Sequence, residues 1–449
     1  MFYQFKKEIR QLAPIGIPAV LSQLAQMATG FIDTVMAGHY SSDALAAIAI
    51  GTSLLHPVLV FFLGLFLAFN PLVAHLHGAE NTKGIRQHFH AALFLAIVLS
   101  PVAVLALLNF GFVLTLLNIE PQVAQLAIDY LSATIWGMPS LLLFFALRFC
   151  NEGLFSTMAV MTITLLAIPL NGVLNYWFIY GGYGVGAMGA VGVGYATSIT
   201  WFVMFIGMAI YTLSAKKYLA LRLFKDFALP NWSEFKSIFA LGFPVAITLG
   251  FEITMFAAVS LMIARYPVEV MGGHQIAMNI ASLTFMIPLG LSQAITARVS
   301  YFKGRGYPQA LSIAGFTGIG SCVIIMILSA SMMMLIPRFL VSIYTSDPKL
   351  IEIAVSLLFF AGLFQFSDGL QVSSSGALRG LKDTKMPMII TAISYWLVGF
   401  PIGYYLAEFH NLQAKGYWIG MICGLSTAAI LLLGRWVIFS KQQALTTNA

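Results

Sequence analysis

The 449-residue sequence predicts an all-α integral membrane protein, with about twelve transmembrane helices in two pseudo-symmetric six-helix lobes. The first observation is composition. The chain is 59% hydrophobic and 9% charged with a mean hydropathy of +0.89, whereas a soluble domain carries roughly 25% charged residues. The second is that apolar runs near or above the roughly 20 residues that cross a bilayer recur along the whole chain. The third is an internal repeat.

Charged or Gly/Pro-rich breaks between the apolar runs set the expected helix limits. The first six spans are predicted at 14–36, 45–72, 90–116, 123–147, 158–180 and 188–213, and the second six at 238–263, 270–299, 308–336, 350–376, 386–408 and 415–438. The longest polar stretch separates these groups. The predicted domains are therefore a six-helix lobe at 1–213, a cytoplasmic linker at 214–237, a second six-helix lobe at 238–438 and a cytoplasmic tail at 439–449.

The two halves resemble each other at a nearly constant offset of 226 to 227 residues. The matched pairs are Pro18 and Pro244, Gly64 and Gly290, Gly78 and Gly304, Pro121 and Pro348, and Gly153 and Gly380. Several matches at one offset indicate duplication of a six-helix unit. Because six is even, both copies have the same orientation, which favours a transporter over a pore.

The positive charges are distributed unevenly over the loops. With a cytoplasmic N-terminus, 19 of the 23 Lys and Arg residues lie on one side, so the positive-inside rule places both termini in the cytoplasm. The net charge of +7 then reflects topology, and no nucleic-acid partner is expected. The basic and then hydrophobic N-terminus lacks a clear cleavage site and is read as an uncleaved first span.

Three acids lie inside the apolar spans, namely Asp33, Glu252 and Asp368, and no Lys or Arg is expected at comparable depth. An ionised carboxylate there costs several kcal/mol unless it is paired, hydrated or protonated. Such acids bind a cation or hold a proton, and oxygen ligands suit a hard ion such as sodium. The alternative is a protonated acid that hydrogen-bonds a neighbouring helix.

Two further groups of polar residues accompany these acids. Asn171 and Asn175 stand four apart on one helical face and could complete an oxygen cage around an ion at Asp33, or simply hydrogen-bond another helix. The stretch GGHQIAMN brings together His274, Gln275 and Asn279, although a lone histidine is more often structural. The cysteines lie singly, and we find no nucleophile triad, metal-ligand cluster or nucleotide loop, so neither an enzyme nor a cofactor is expected.

Several of these stretches together resemble the multidrug and toxic compound extrusion (MATE) transporters, in particular the bacterial NorM branch. The motifs are GFIDTVMAG, CNEGL, NGVLNYWFIYG, FEITMFA, GHQIAMN, SDGLQV, LRGLKDTKMP and YWLVGFPIGY, spread over nearly the whole chain. The resemblance implies the MATE fold of two six-helix lobes. It also implies an antiporter that exchanges external sodium or protons for cytoplasmic organic cations by alternating access.

The resemblance also implies roles for individual residues. Asp33, with Asn171 and Asn175, matches the first-lobe cation and substrate site, and Glu252 and Asp368 match a second-lobe sodium site. In the NorM pattern an aromatic hydroxyl lies four residues before the second of these acids, where this chain has Phe364. The expected substrate cavity includes Asp33, His274, Gln275, Asn279 and Phe364.

The expected partners are organic cations and membrane lipid, with the chain acting as a monomer in a bacterial inner membrane. The main alternative is a lipid-intermediate flippase of related two-lobe fold, but a diphosphate substrate would favour basic residues in the cavity. A passive channel would more often arrange its polar residues as rings. A lipid enzyme would need paired catalytic groups that we do not find.

Overall fold

The computed structural model describes residues 2–109, 120–182, 184–218, 221–224 and 231–445, and these residues are almost entirely helical. The end of the predicted third span, part of the predicted linker and the end of the tail lie outside the described residues. The helices of the first half are α1 (Phe2–Tyr40), α2 (Ser42–Leu67), α3 (Phe69–Gly78), α4 (Thr82–Leu108), α5 (Pro121–Ile135), α6 (Met138–Gly153), α7 (Thr157–Tyr180) and α8 (Ala190–Ser214). Those of the second half are α9 (Trp232–Ile263), α10 (Val268–Arg305), α11 (Pro308–Leu335), α12 (Pro337–Ser342), α13 (Pro348–Gly380), α14 (Lys385–Ala392), α15 (Phe400–Glu408) and α16 (Gln413–Leu445).

The number of membrane-spanning helices agrees with the sequence. Within the described residues, eleven helical segments are long and apolar enough to cross a membrane, and the bent pair α5–α6 brings the number to twelve. That pair bends by 49° after Ile135. The bend has a local cause, because α6 begins with a proline in its first turn, which removes a backbone donor and clashes with the preceding turn. The predicted all-α, multi-pass membrane fold is confirmed.

One span contains a π-helical turn. Residues Ile393–Gly399 form this turn between α14 and α15, and the three segments together make the span Lys385–Glu408. A π-turn holds one residue more than an α-turn and therefore changes the direction of the side chains around it. It is the only π-turn in the described part of the chain.

The chain folds as two compact units. The N-terminal unit is Leu21–Ala246, and the C-terminal unit combines Met1–Val20 with Ile247–Ala449. Both boundaries fall inside helices, α1 and α9, two residues after Pro18 and Pro244. The units thus differ from the predicted lobes in where the first halves of α1 and α9 belong, and the division into six and six helices stays a prediction.

Each unit has its own apolar core. The N-terminal unit packs aromatic side chains such as Phe66, Phe89 and Phe144 with aliphatic residues from α2 to α8. The C-terminal unit has separate clusters, one around Trp418 and another around Trp436. These cores fix the helices that carry the buried polar side chains described next.

Candidate cation-binding sites

The N-terminal unit holds a carboxylate site built from α1, α7 and α8. The Asp33 side chain is 7% exposed, and its two oxygens accept different hydrogen bonds. The Asn175 amide donates to Oδ1 at 2.7 Å, and the Thr197 hydroxyl donates to Oδ2 at 3.2 Å. The same Asn175 nitrogen donates to Asn171 Oδ1 at 3.0 Å. The structure therefore brings together Asp33, Asn171 and Asn175 as predicted, and adds Thr197.

The local sequence explains how these side chains meet. Asn171 and Asn175 share one face of α7 because they are one helical turn apart. Thr197 lies one turn after Gly194, and a Cβ at Gly194 would stand 2.6 Å from the Tyr130 carbonyl oxygen. The missing side chain lets α8 approach α5 closely. Tyr130 of α5 lies within electrostatic range of Asp33.

This first site has unused hydrogen-bonding capacity. Asn175 Oδ1 is buried and has no hydrogen-bond partner among the described residues. The Asn175 amide nitrogen donates to both Asp33 and Asn171, whereas the amide oxygen keeps its lone pairs free. A carboxylate beside a free amide oxygen is the ligand type that a hard cation prefers.

The C-terminal unit holds a second acidic site, formed by Glu252 of α9 and Asp368 of α13. Both side chains are buried, Asp368 with 1% exposure, and they lie within electrostatic range of each other. Neither oxygen of Asp368 has a hydrogen-bond partner in the described part of the chain. Burial and mutual repulsion both oppose two negative charges here, so the pair is suited to hold a proton or a cation.

The residue one turn before Asp368 packs among aromatic rings. Phe364 lies one turn earlier on α13, with its ring centroid 5.9 Å from that of Phe256 and 6.0 Å from that of Trp418. Phe364 has no side-chain oxygen and therefore supplies no ligand atom, as expected from the sequence. A different hydroxyl, that of Tyr395 in the π-turn, lies within electrostatic range of both Glu252 and Asp368. The sequence analysis did not identify Tyr395 as a site residue.

The residues of the stretch GGHQIAMN do not share one environment. His274 is fully buried, makes a 3.0 Å hydrogen bond with the Ser260 hydroxyl, and packs its ring edge against Trp418. Gln275 and Asn279 are exposed, one turn apart, on another face of α10. His274 thus has the contacts of a structural histidine, and a substrate-cavity role for these three residues stays a prediction.

A buried ion pair was also missed at the sequence level. Arg148 and Glu152 of α6 are at most 1% exposed, their Nε and Oε1 atoms lie 2.8 Å apart, and Arg148 also donates to Gln23 at 2.8 Å. Arg148 is buried as fully as the acids but is paired with a carboxylate, and the expectation that no Lys or Arg lies at their depth in the membrane stays a prediction. The spacing of four residues was visible in the sequence, but the pair stood near a predicted span end.

No group of three or more His, Cys, Asp and Glu side chains placed to hold a metal ion occurs within the described ranges. Any cation at the two acidic sites would therefore rely on amide, hydroxyl and backbone oxygens in addition to one or two carboxylates. Such mixed oxygen sets fit a monovalent cation better than a transition metal, which prefers imidazole or thiolate ligands.

Comparisons with known proteins agree with this architecture. The sequence model of the MatE family matches twice, over residues 18–177 and 244–405, so the two matches begin at the positions of the paired prolines. The "Probable multidrug resistance protein NorM" of Shewanella oneidensis is 38% identical over 440 residues, which cover 97% of this chain and 96% of that protein.

Solved structures share the fold at lower sequence identity. The eukaryotic MATE transporter AtDTX14 aligns with a TM-score of 0.88 at 20% identity, covering 99% of this chain and 98% of that one. A MATE protein in a bent conformation aligns with a TM-score of 0.90, also at 20% identity and with the same coverage. The double match to the family model and the NorM relative extend over most of the sequence. The chain therefore belongs to the MatE family of multidrug and toxic compound extrusion transporters, and it is a multi-pass membrane transporter, not an enzyme.

Proposed function

We propose that this transporter is an antiporter that exports organic cations and drugs from the cytoplasm in exchange for sodium or protons, by alternating access. The observation that carries the proposal is the pair of buried acidic sites, one in each unit, whose oxygens lack full sets of hydrogen bonds. The name of the Shewanella oneidensis relative, a probable multidrug resistance protein, supports small-molecule drugs as the substrate class.

The coupling follows from charge neutralisation. A buried carboxylate is stable when a proton, a sodium ion or a cationic substrate balances its charge. If the drug and the coupling ion favour different conformations, each shifts the population toward its own state, and the exchange becomes directional. At Asp33 the hydrogen bonds from Asn175 and Thr197 hold the carboxylate in place for either cation.

The acidic character of the sites argues against the lipid-intermediate flippase. A diphosphate headgroup would need Lys or Arg side chains, whereas the deep charged groups at both sites are carboxylates. Arg148, which is fully buried in the N-terminal unit, is paired with Glu152. We therefore keep the flippase only as an outcome of the test below.

We also propose that the chain resides in a bacterial inner membrane with both termini in the cytoplasm, as the distribution of Lys and Arg predicts. The coupling ion is the transported cargo, and no resident cofactor is proposed. We propose that the chain acts as a monomer.

The test is efflux of a fluorescent organic cation from loaded vesicles, with sodium and proton gradients imposed separately. We expect at least one gradient to accelerate efflux, and we expect Asp33→Asn and Asp368→Asn each to abolish that acceleration. Glu352→Gln, an exposed acid of α13, serves as the control. If efflux ignores both gradients, or if both Asn variants behave as the parent protein, the antiport proposal fails and the flippase returns.

A further inference from the structure

We propose that the Tyr395 hydroxyl is a direct ligand of the cation bound by Glu252 and Asp368, and that it supplies the oxygen that Phe364 lacks. The inference rests on the proposed cation coupling and names an additional binding residue of its second site. It is carried by the position of the hydroxyl, by the absence of a hydrogen-bond partner for it, and by the turn that presents it.

The Tyr395 hydroxyl is buried without a partner. The residue is 2% exposed, and its oxygen has no hydrogen-bond partner among the described residues. The two Asp368 oxygens are unpartnered in the same way. A buried hydroxyl or carboxylate without a partner is costly, and native proteins rarely leave such groups without protein, water or a ligand. Three such oxygens in one neighbourhood point to a shared ligand.

The three polar groups belong to one neighbourhood of the C-terminal unit. Tyr395 lies within electrostatic range of both Glu252 and Asp368, and these acids lie within range of each other. Tyr395 and Phe364 also belong to the same apolar cluster, together with Met255, one turn after Glu252. The phenol and the two carboxyls therefore lie in one largely apolar part of the C-terminal unit.

The π-turn explains how Tyr395 reaches this position. The turn Ile393–Gly399 packs against α16 through glycines. A Cβ on Gly424 would stand 2.9 Å from the Ser394 carbonyl oxygen, and a Cβ on Gly399 would stand 3.1 Å from Gly424 Cα and 3.2 Å from the Met255 methyl. These contacts hold the wide turn against α16 and α9. π-turns are frequently found at functional sites, where the extra residue re-aims a side chain.

The chemistry of the phenol suits this role. Its oxygen can accept a cation through a lone pair while its proton is donated to one of the two carboxyls. The neutral ligand adds coordination without adding a third negative charge. A proton on the carboxyl pair needs no such ligand, so Tyr395 should favour sodium over protons.

The competing explanation is that Tyr395 only packs, or only donates to a protonated carboxyl. If Tyr395 only packs, loss of the hydroxyl would change stability equally with and without sodium; if it only donates to a protonated carboxyl, the loss would destabilise mainly the sodium-free protein. A ligand role predicts instead that the loss appears mainly in the sodium-bound protein. The two roles therefore separate in a binding measurement, independently of transport.

The experiment measures equilibrium binding of radioactive sodium and sodium-dependent thermal stabilisation on the purified full-length protein in nanodiscs. The variants are Tyr395→Phe, Asp368→Asn and Tyr395→Phe combined with Phe364→Tyr. The matched control is Tyr417→Phe, an equally buried tyrosine of the same unit whose hydroxyl donates to Glu408 at 3.2 Å. It loses a hydroxyl outside the acidic pair.

We expect Tyr395→Phe to weaken sodium binding about tenfold, because it loses one oxygen contact to a charged species. Tyr417→Phe should bind as the parent does, and Phe364→Tyr should restore part of the loss. If the parent binds sodium, Asp368→Asn does not, and Tyr395→Phe binds as tightly as the parent, the Tyr395 assignment is overturned while the second site stands. If the parent shows no saturable sodium binding, sodium coupling and the Tyr395 assignment both fall.

Discussion

Asn175 donates a 2.7 Å hydrogen bond to the Asp33 carboxylate across 142 residues of sequence, and the Asn175 side-chain oxygen remains without a partner among the described residues. The amide therefore does two things. It orients the one carboxylate of this site, and it offers a free oxygen beside that carboxylate. A substitution at Asn175 should remove both contributions at once.

We predict that Asn175→Ala lowers cation-driven efflux about tenfold or more, since a hydrogen bond to a charged group contributes about 1.5–3 kcal/mol. Thr197→Val should have a smaller effect, because its bond to Asp33 is longer, at 3.2 Å. The measurement is the initial efflux rate in vesicles at matched protein amounts. The control is Thr164→Val on α7, the helix of Asn175, because the Thr164 hydroxyl donates to carbonyl oxygens of that helix. Equal rates for Asn175→Ala and Thr164→Val would contradict the prediction.

Asp368→Asn should make the sodium-free protein more stable. The variant removes one of two buried carboxyls that repel each other, and relief of such strain at a functional site commonly contributes about 0.5–2 kcal/mol. The measurement is the apparent melting temperature in detergent without sodium, where we expect a rise. In added sodium the parent should gain stability and the variant should not. A variant that melts below the parent in sodium-free buffer would show that the acid pair is not strained.

Much of this site geometry was visible in the sequence. The apolar runs predicted the spans. Asp33, Glu252 and Asp368 were recognisable as candidate site residues, because an ionisable group inside such a run is energetically exceptional. Asn171 and Asn175 were recognisable because their spacing is local, one turn of one helix. Each of these signals depends only on composition or on contacts within one helix.

The residues that the sequence did not reveal depend on packing between helices. Thr197 is one of many hydroxyl residues in the spans, and only the close approach of α8 at Gly194 selects it. Tyr395 depends on a π-turn, and YWLVGF carries no periodicity that distinguishes such a turn from an α-helix. The match of Pro18 with Pro244 was visible in the sequence, but the boundaries of the two units just after these prolines, inside α1 and α9, depend on contacts between helices.

The ion pair between Glu8 and Arg298 should be required for the stability of the C-terminal unit. The guanidinium donates to both carboxylate oxygens, at 2.8 and 2.6 Å, and also to Gln11 at 2.6 Å, with the pair at most 9% exposed. Glu8→Gln leaves a buried cation without its counter-charge, a change that costs about 3–5 kcal/mol. We expect a clear drop in melting temperature.

Two variants test whether charge, and not shape, is responsible for that drop. Exchange of the two residues, Glu8→Arg with Arg298→Glu, should recover part of the lost stability because the opposite charges are kept. Glu269→Gln, an exposed acid at the start of α10, should melt as the parent protein does. If Glu8→Gln melts no lower than Glu269→Gln, the pair does not stabilise the unit.

Lys382, in the loop between α13 and α14, should make the stability of the protein change with pH in the alkaline range. Burial of Lys382, together with a smaller contribution from the nearby Lys303 charge, lowers its pKa from 10.5 to about 8. Below pH 8 both the folded and the unfolded chain hold this proton, and the folded state carries the full cost of the buried charge. Between pH 8 and 10.5 the folded protein releases the proton while the unfolded chain keeps it, so stability rises with pH.

Lys382→Met should therefore be more stable than the parent at pH 7, and the difference in melting temperature should shrink as the pH is raised from 8 to 10.5. Lys385→Met, at an exposed lysine of the next helix, should show no such convergence. A difference between Lys382→Met and the parent that stays constant over this range would mean that Lys382 keeps its proton in the folded protein.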